Sequence, residues 1–78
     1  MWWWLEKLEE TEEYAIYAYG IATQNATGKI LINKADNEVT RIEMADDDNE
    51  RLYGVFARFV RSIIAKAGYP EVRSIATG

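Results

Sequence analysis

One stretch of this chain, residues 49–68, constrains the fold more than any other. Its apolar residues recur at the i, i+3, i+4, i+7 spacing of one helical face. They are Leu52, Val55, Phe56, Phe59, Val60, Ile63, Ile64 and Ala67. The acidic run 46–50 offers N-cap side chains and negative charge at the start of the stretch, and Gly68 and Pro70 end it. The sequence therefore predicts a long amphipathic helix with Phe59 near the middle of its buried face.

Three segments before this helix have the composition of β-strands. Residues 14–22 are rich in Tyr and Ile, and residues 29–35 and 38–45 flank a turn at Asp36 and Asn37. We expect a three-stranded antiparallel meander, covered on one face by the long helix. The residues after Pro70 predict a C-terminal edge strand, placed beside and parallel to the first strand by a right-handed crossover. The fold class is α+β, in one small domain that spans residues 1–78.

Period-two alternation divides the strand side chains between two faces. The set assigned to the helix side is Tyr14, Ile16, Ala18, Ile30, Ile32, Thr40, Ile42 and Met44. The set assigned to the opposite face is Tyr17, Tyr19, Ile21, Leu31 and Val39. In water this second set would form an apolar patch of several hundred Å², about the limit that monomers tolerate. We therefore predict that it is a protein interface and that a second copy covers it in a homodimer.

The N-terminal segment combines tryptophans with leucines. Trp2, Trp3 and Trp4 are followed by Leu5 and Leu8, which predicts a short amphipathic helix that either covers the core or forms an interface. Nearby acidic residues oppose its insertion into an anionic membrane surface. The segment lacks the basic region of a signal peptide, and no apolar run approaches the roughly 20 residues of a membrane span. We expect a cytoplasmic protein that does not act at a membrane.

The composition restricts the possible chemistry. The chain has no His and no Cys, so it lacks the commonest general base, the thiolate nucleophile and the usual soft-metal ligands. Carboxylates at residues 46–50 could bind Mg²⁺ or Ca²⁺, although helix capping explains them more economically. The glycines are scattered singly, so no phosphate-binding loop is present. We expect a protein that is not an enzyme and that uses no cofactor.

Charge is distributed unevenly along the chain. Residues 1–50 contain twelve acids and four bases, whereas residues 51–78 contain five bases and one acid. The candidate acidic surface comprises Glu9, Glu10, Glu12, Glu13, Asp46, Asp47 and Asp48. On the helix face opposite the core, Arg51, Arg58 and Arg61 alternate with Gly54, Ser62 and Ala65, which indicates either a docking face or a solvated one. Because the acids would repel phosphates, the sequence does not favour nucleic-acid binding.

Two functions fit these features. The first is a non-enzymatic protein-binding or accessory module that associates with itself. The alternative is a small acidic inhibitor that mimics nucleic acid and presents its carboxylates to a basic groove. The expected layout of a helix, three strands and a helix in a small acidic chain resembles that of some phage-encoded inhibitor proteins, but no motif carries their functional residues over to this sequence.

Overall fold

The computed structural model describes residues 2–21, 26–46 and 48–76, without the side chains of residues 2, 21, 75 and 76. Strands β1 (Trp2–Glu10), β2 (Tyr14–Ile21), β3 (Gly28–Asn33) and β4 (Glu38–Glu43) precede helix α1 (Glu50–Ala67), and strand β5 (Val72–Ala76) follows it. The strands form one antiparallel sheet in the order β4-β3-β2-β1-β5. The predicted α+β class and the long helix are confirmed. We call the side of the sheet that packs against α1 the inner face, and the other side the outer face.

The predicted N-terminal helix is wrong, because this segment is strand β1. It pairs antiparallel with β2 on one side and with β5 on the other. Trp3 and Leu5 are 0% and 2% exposed on the inner face, whereas Glu6 is exposed on the outer face. The segment thus alternates with a period of two. Successive tryptophans suit a pleated strand, since a helix would scatter them around its circumference.

The predicted C-terminal edge strand is confirmed, but its predicted neighbour is wrong. β5 lies at the edge of the sheet and is hydrogen-bonded to β1. The pairing directions make β5 run parallel to β2, as expected, although the two strands are not in contact. The difference arises because β1 occupies the position beside β2 that was predicted for the C-terminal strand.

Helix α1 begins and ends where its caps predict. The Asn49 side chain accepts a hydrogen bond from the Leu52 N–H at 3.0 Å, and Gly68 takes a positive φ of 81°. The buried residues of the helix are Phe56, Ala57, Val60 and Ile64. Phe59 is 38% exposed, so its predicted place at the centre of the buried face is wrong. Tyr53 and Ala57 also face the sheet, which rotates the buried face away from Phe59.

The tyrosines of β2 lie on the inner face. Tyr17 is paired across the strands with Ile30, and cross-strand partners share a face of an antiparallel sheet. Tyr17 and Tyr19 are 1% and 0% exposed, so the prediction that they lie opposite the helix is wrong. Their hydroxyls donate hydrogen bonds of 2.5 Å to the Pro70 carbonyl and the Asp48 carboxylate respectively. Satisfied hydroxyls allow tyrosine rings to lie in a core.

The predicted facing of β4 is also wrong. Val39 pairs with Ile32, and Arg41 pairs with Ile30, so these two β4 residues face the helix. The residues predicted to point inward, Thr40, Ile42 and Met44, are exposed instead. The β3–β4 pairing shifts register between Ile30 and its neighbour Lys29, which leaves Ile42 as an extra residue in β4. Alternation alone does not specify which of its two sets of side chains faces the core.

Candidate functional site

The outer face of the sheet carries apolar side chains at nearby register positions of β1, β2 and β3. Ile16 and Leu31 are cross-strand partners, Ala18 lies two residues from Ile16 along β2, and Trp4 pairs with Gly20 on the neighbouring strand. We call these four residues, Trp4, Ile16, Ala18 and Leu31, the apolar centre. Val72, which is 49% exposed, lies on the same face beyond Glu6. Among the described elements, no helix or second sheet covers this face.

Acidic residues surround the apolar centre. The register places four exposed glutamates, Glu6, Glu9, Glu38 and Glu43, on the outer face, and we call them the acidic rim. Lys29 is on the same face, with its Nζ 3.7 Å from the Glu43 carboxylate. The outer face therefore combines an apolar middle with a net negative border.

A cleft of about 540 Å³ opens at one end of this face. Its lining includes Leu31 of the apolar centre, Tyr14, and the carboxylates of Glu12 and Glu13. Lys34 also lines it, but its Nζ lies 2.5 Å from Glu10 and 4.7 Å from the ring centroid of Tyr69. The cleft thus extends the acidic character of the rim toward the β1–β2 turn.

The predicted acidic surface is divided by the fold. Glu9 and Glu10 end β1 and are followed by Glu12 and Glu13, whereas Asp46 and Asp48 lie between β4 and α1. About five extended residues of β2 separate these two groups, or roughly 16 Å. Asp47 lies outside the described residues.

Three of these acids are engaged within the fold. Glu9 accepts a hydrogen bond of 2.5 Å from the Tyr14 hydroxyl. Glu10 contacts the amino groups of Lys34 and Lys7, each at 2.5 Å, and these hydrogen bonds lower the pKa of its carboxyl group. The Asp48 side chain has no exposed surface. Glu12, Glu13 and Asp46 remain exposed, so the set available to a partner is smaller than the sequence predicted.

The predicted interface residues are divided in the same way. Tyr17, Tyr19 and Val39 lie on the inner face, and only Leu31 lies on the outer face. The side chain of Ile21 is outside the described part of the structure.

Ile16 and Ala18 were expected on the helix side, which is wrong because the register places them on the outer face. Sequence reasoning did not single out Val72, and it left open whether the segment that contains Trp4 forms an interface. The period-two pattern of the N-terminal tryptophans is the signal that would have identified this face. It makes the segment a strand, and that strand pairs with β2.

A polar cluster connects the start of α1 to the sheet. The Tyr19 hydroxyl accepts a hydrogen bond from the Ala45 N–H at 3.2 Å and donates one to Asp48. The Arg41 guanidinium lies 4.5 Å from the Tyr53 ring centroid and is ion-paired with Glu50. The cluster fixes the connection between β4 and α1.

Neighbouring features describe the protonation and packing of this cluster. Burial and the hydrogen bond to Asp48 raise the pKa of Tyr19, so its hydroxyl stays protonated at neutral pH. A Cβ at Gly28 would lie 2.4 Å from the Tyr19 ring, so the ring requires glycine there. Among residues 2–21, 26–46 and 48–76, no group of three or more acids is arranged to hold a metal ion.

Comparisons with protein-family models, with curated proteins and with solved structures return no match for this chain. Within the part of the chain that the structure describes, no helix has the length and apolarity needed to cross a membrane. Its function is therefore inferred from the chemistry of its own surfaces.

Proposed function

We propose that this protein is a non-enzymatic protein-binding module and that the outer face is its binding surface. The supporting observation is that no described helix or second sheet packs over the apolar centre, in which Trp4, Ile16 and Leu31 are partly exposed and Ala18 is 7% exposed. Val72, which is 49% exposed, lies on the same face beyond Glu6. An antiparallel sheet with one solvated face normally alternates apolar and polar side chains cleanly. Here Ile16 and Leu31 are apolar on the outer face, and their sequence neighbours Tyr17, Ile30 and Ile32 are apolar on the inner face. An apolar surface with a polar border is typical of an interaction site.

The proposal is tested by capturing partners on immobilised protein and identifying them by mass spectrometry, with copies of the chain itself counted as partners. The test variant is Leu31→Arg, which places a cation in the apolar centre. The matched control is Met44→Arg, which makes a similar change at a 45% exposed side chain between β4 and α1. We expect the wild type and the control to retain the same partner and Leu31→Arg to lose it. Equal capture by all three proteins would contradict the proposal.

The acidic inhibitor is the second candidate function, and the acidic rim supports it. Glu6, Glu9, Glu38 and Glu43 border one face, and Glu12 and Glu13 continue the negative surface into the cleft. A partner with a basic groove would then bind mainly through charge. Raising the salt from about 0.1 to 1 M shortens the Debye length from about 10 to 3 Å. Loss of the partner over this range, and loss from a Glu12→Gln, Glu13→Gln variant at low salt, would favour this function over an apolar interface.

A further inference from the structure

We infer that copies of this protein associate head to tail, with the solvent face of α1 in one copy seated on the outer face of the next. This inference rests on the proposed function and names the partner of the outer face as a second copy of the chain. It follows from the opposite charge, the apolar side chains and the opposite placement of the two surfaces.

The solvent face of α1 is basic. It carries Arg51, Arg58, Arg61 and Lys66, all exposed. None of these cations takes part in an ion pair among the described residues. The outer face is bordered by the four glutamates of the acidic rim. Among the described residues Glu43 is ion-paired with Lys29, and Glu9 accepts a hydrogen bond from the Tyr14 hydroxyl. Because α1 packs on the inner face, these oppositely charged surfaces lie on opposite sides of the molecule.

Both surfaces also carry apolar side chains, and the helix face has short residues between its cations. Val55 and Phe59 are 37% and 38% exposed at the border of the basic helix face, where they can contact the apolar centre of another copy. Gly54 has open space where a Cβ would be, and Ser62 and Ala65 are short and exposed. Because these small residues lie between the cations, the helix can approach the sheet of another copy closely, and its longer arginines can reach the acidic rim of that copy. The contact would cover the outer face with a helix, as α1 covers the inner face.

Charge favours this arrangement over a two-fold dimer. Two outer faces placed together would oppose one acidic rim to another, and two helix faces would oppose arginines to arginines. Like charges brought together across an interface cost several kcal/mol. Pairing unlike faces removes both conflicts. Such a contact is heterologous, so it builds rings or open chains rather than stopping at a dimer.

Sedimentation velocity on the full chain is the first measurement. At low salt we expect the wild type to form species larger than a dimer as its concentration rises, and at high salt to return to the 9.0 kDa monomer. A wild type that stays monomeric at low salt and millimolar concentration overturns the inference. The proposed function would survive that result, because capture of a different protein through Leu31 is measured separately.

Charge reversal on each face then locates the contact. The sheet variant is Glu6→Lys, Glu38→Lys, and the helix variant is Arg51→Glu, Arg58→Glu; all four side chains are exposed. We expect each variant alone to associate at least about tenfold more weakly than the wild type. An equimolar mixture of the two should regain association. The native helix face of the sheet variant can then bind the native outer face of the helix variant, and the two charge-reversed faces can bind each other. The control Asp46→Lys, Glu71→Lys makes the same charge change as the sheet variant at residues outside both surfaces and should associate like the wild type.

Each outcome separates the alternatives. If the helix variant associates as strongly as the wild type, the helix face is not part of the contact and the inference is overturned. If the mixture remains monomeric while thermal melts show that both variants are folded, the charge pairing is wrong. Recovery only in the mixture supports the head-to-tail contact.

Discussion

The two faces of this sheet are built from the same strands but differ in what their side chains do. On the inner face, the Phe56 ring stacks between Trp3 and Tyr19, with centroid separations of 4.8 and 4.7 Å. On the outer face, the apolar centre is bordered by exposed glutamates, of which Glu9 accepts a hydrogen bond from Tyr14 and Glu43 is ion-paired with Lys29. The inner face therefore contributes most of the buried apolar contact, and the outer face is the surface that we propose for binding. Substitutions on one face should change stability, and those on the other should change association.

The largest expected effect is on the inner face. Phe56→Ala removes a ring that is 0% exposed and leaves a cavity between two aromatic neighbours, so we expect it to lower the free energy of unfolding by about 3–5 kcal/mol. Phe59→Ala, one turn away on the same helix, should lower it by no more than about 1–2 kcal/mol because Phe59 is already 38% exposed. Urea denaturation followed by circular dichroism measures both. Equal losses would mean that α1 is rotated relative to the sheet.

The local signals of the sequence were sufficient for α1 and for the β3–β4 turn. The helix caps at Asn49 and Gly68 act on their own helix ends, and Asn37 takes the positive φ of 58° that its turn requires. These elements depend on adjacent residues, so the sequence predicted them.

The facing of the strands depends on partners that are distant in sequence. The hydroxyl of the buried Tyr17 donates a hydrogen bond to the carbonyl of Pro70, 53 residues away, and no local pattern encodes that contact. The apolar centre was missed for the same reason. Trp4 and Ile16 lie on the same face because β1 pairs with β2. The sequence alone favours a helix for the tryptophan run, so it does not predict this pairing.

The next prediction distinguishes two hydroxyls on the inner face. Tyr19→Phe removes the partner of the buried Ala45 N–H and a hydrogen bond to the Asp48 carboxylate, so we expect it to cost about 1–3 kcal/mol of stability. Tyr17→Phe removes one hydrogen bond to the partly buried Pro70 carbonyl, which water can replace, and should cost about 1 kcal/mol or less. The shift of the urea midpoint measures each. A larger loss for Tyr17→Phe would contradict the role assigned to the cluster around Tyr19.

The inner face should also make the protein sensitive to alkali. Burial raises the pKa of Tyr17 to about 12 and raises the pKa values of Tyr19 and Tyr53. In the unfolded chain these hydroxyls ionise near pH 10. Above that pH the folded state binds more protons than the unfolded state, so the free energy of unfolding falls as pH rises from about 10 to 12. Phenolate absorbance and circular dichroism, recorded together, should show these tyrosines ionising as the protein unfolds. Ionisation of all five tyrosines near pH 10 in a folded protein would contradict their burial.

The smallest expected change in stability comes from a residue on the outer face, and its neighbour in sequence is the matched control. Leu31 and Ile32 are adjacent in β3 but point to opposite faces, and Ile32 is 0% exposed. Ile32→Thr places a hydroxyl in the core and should cost about 2–4 kcal/mol. Leu31→Thr keeps a strand-forming residue at a partly buried position and should change stability by about 1 kcal/mol or less, while association through the outer face weakens.

Urea denaturation and sedimentation of both variants measure the two effects. Equal losses of stability would contradict the larger contribution of the inner face to stability, and a Leu31 variant that binds like the wild type would exclude the apolar centre from the binding surface.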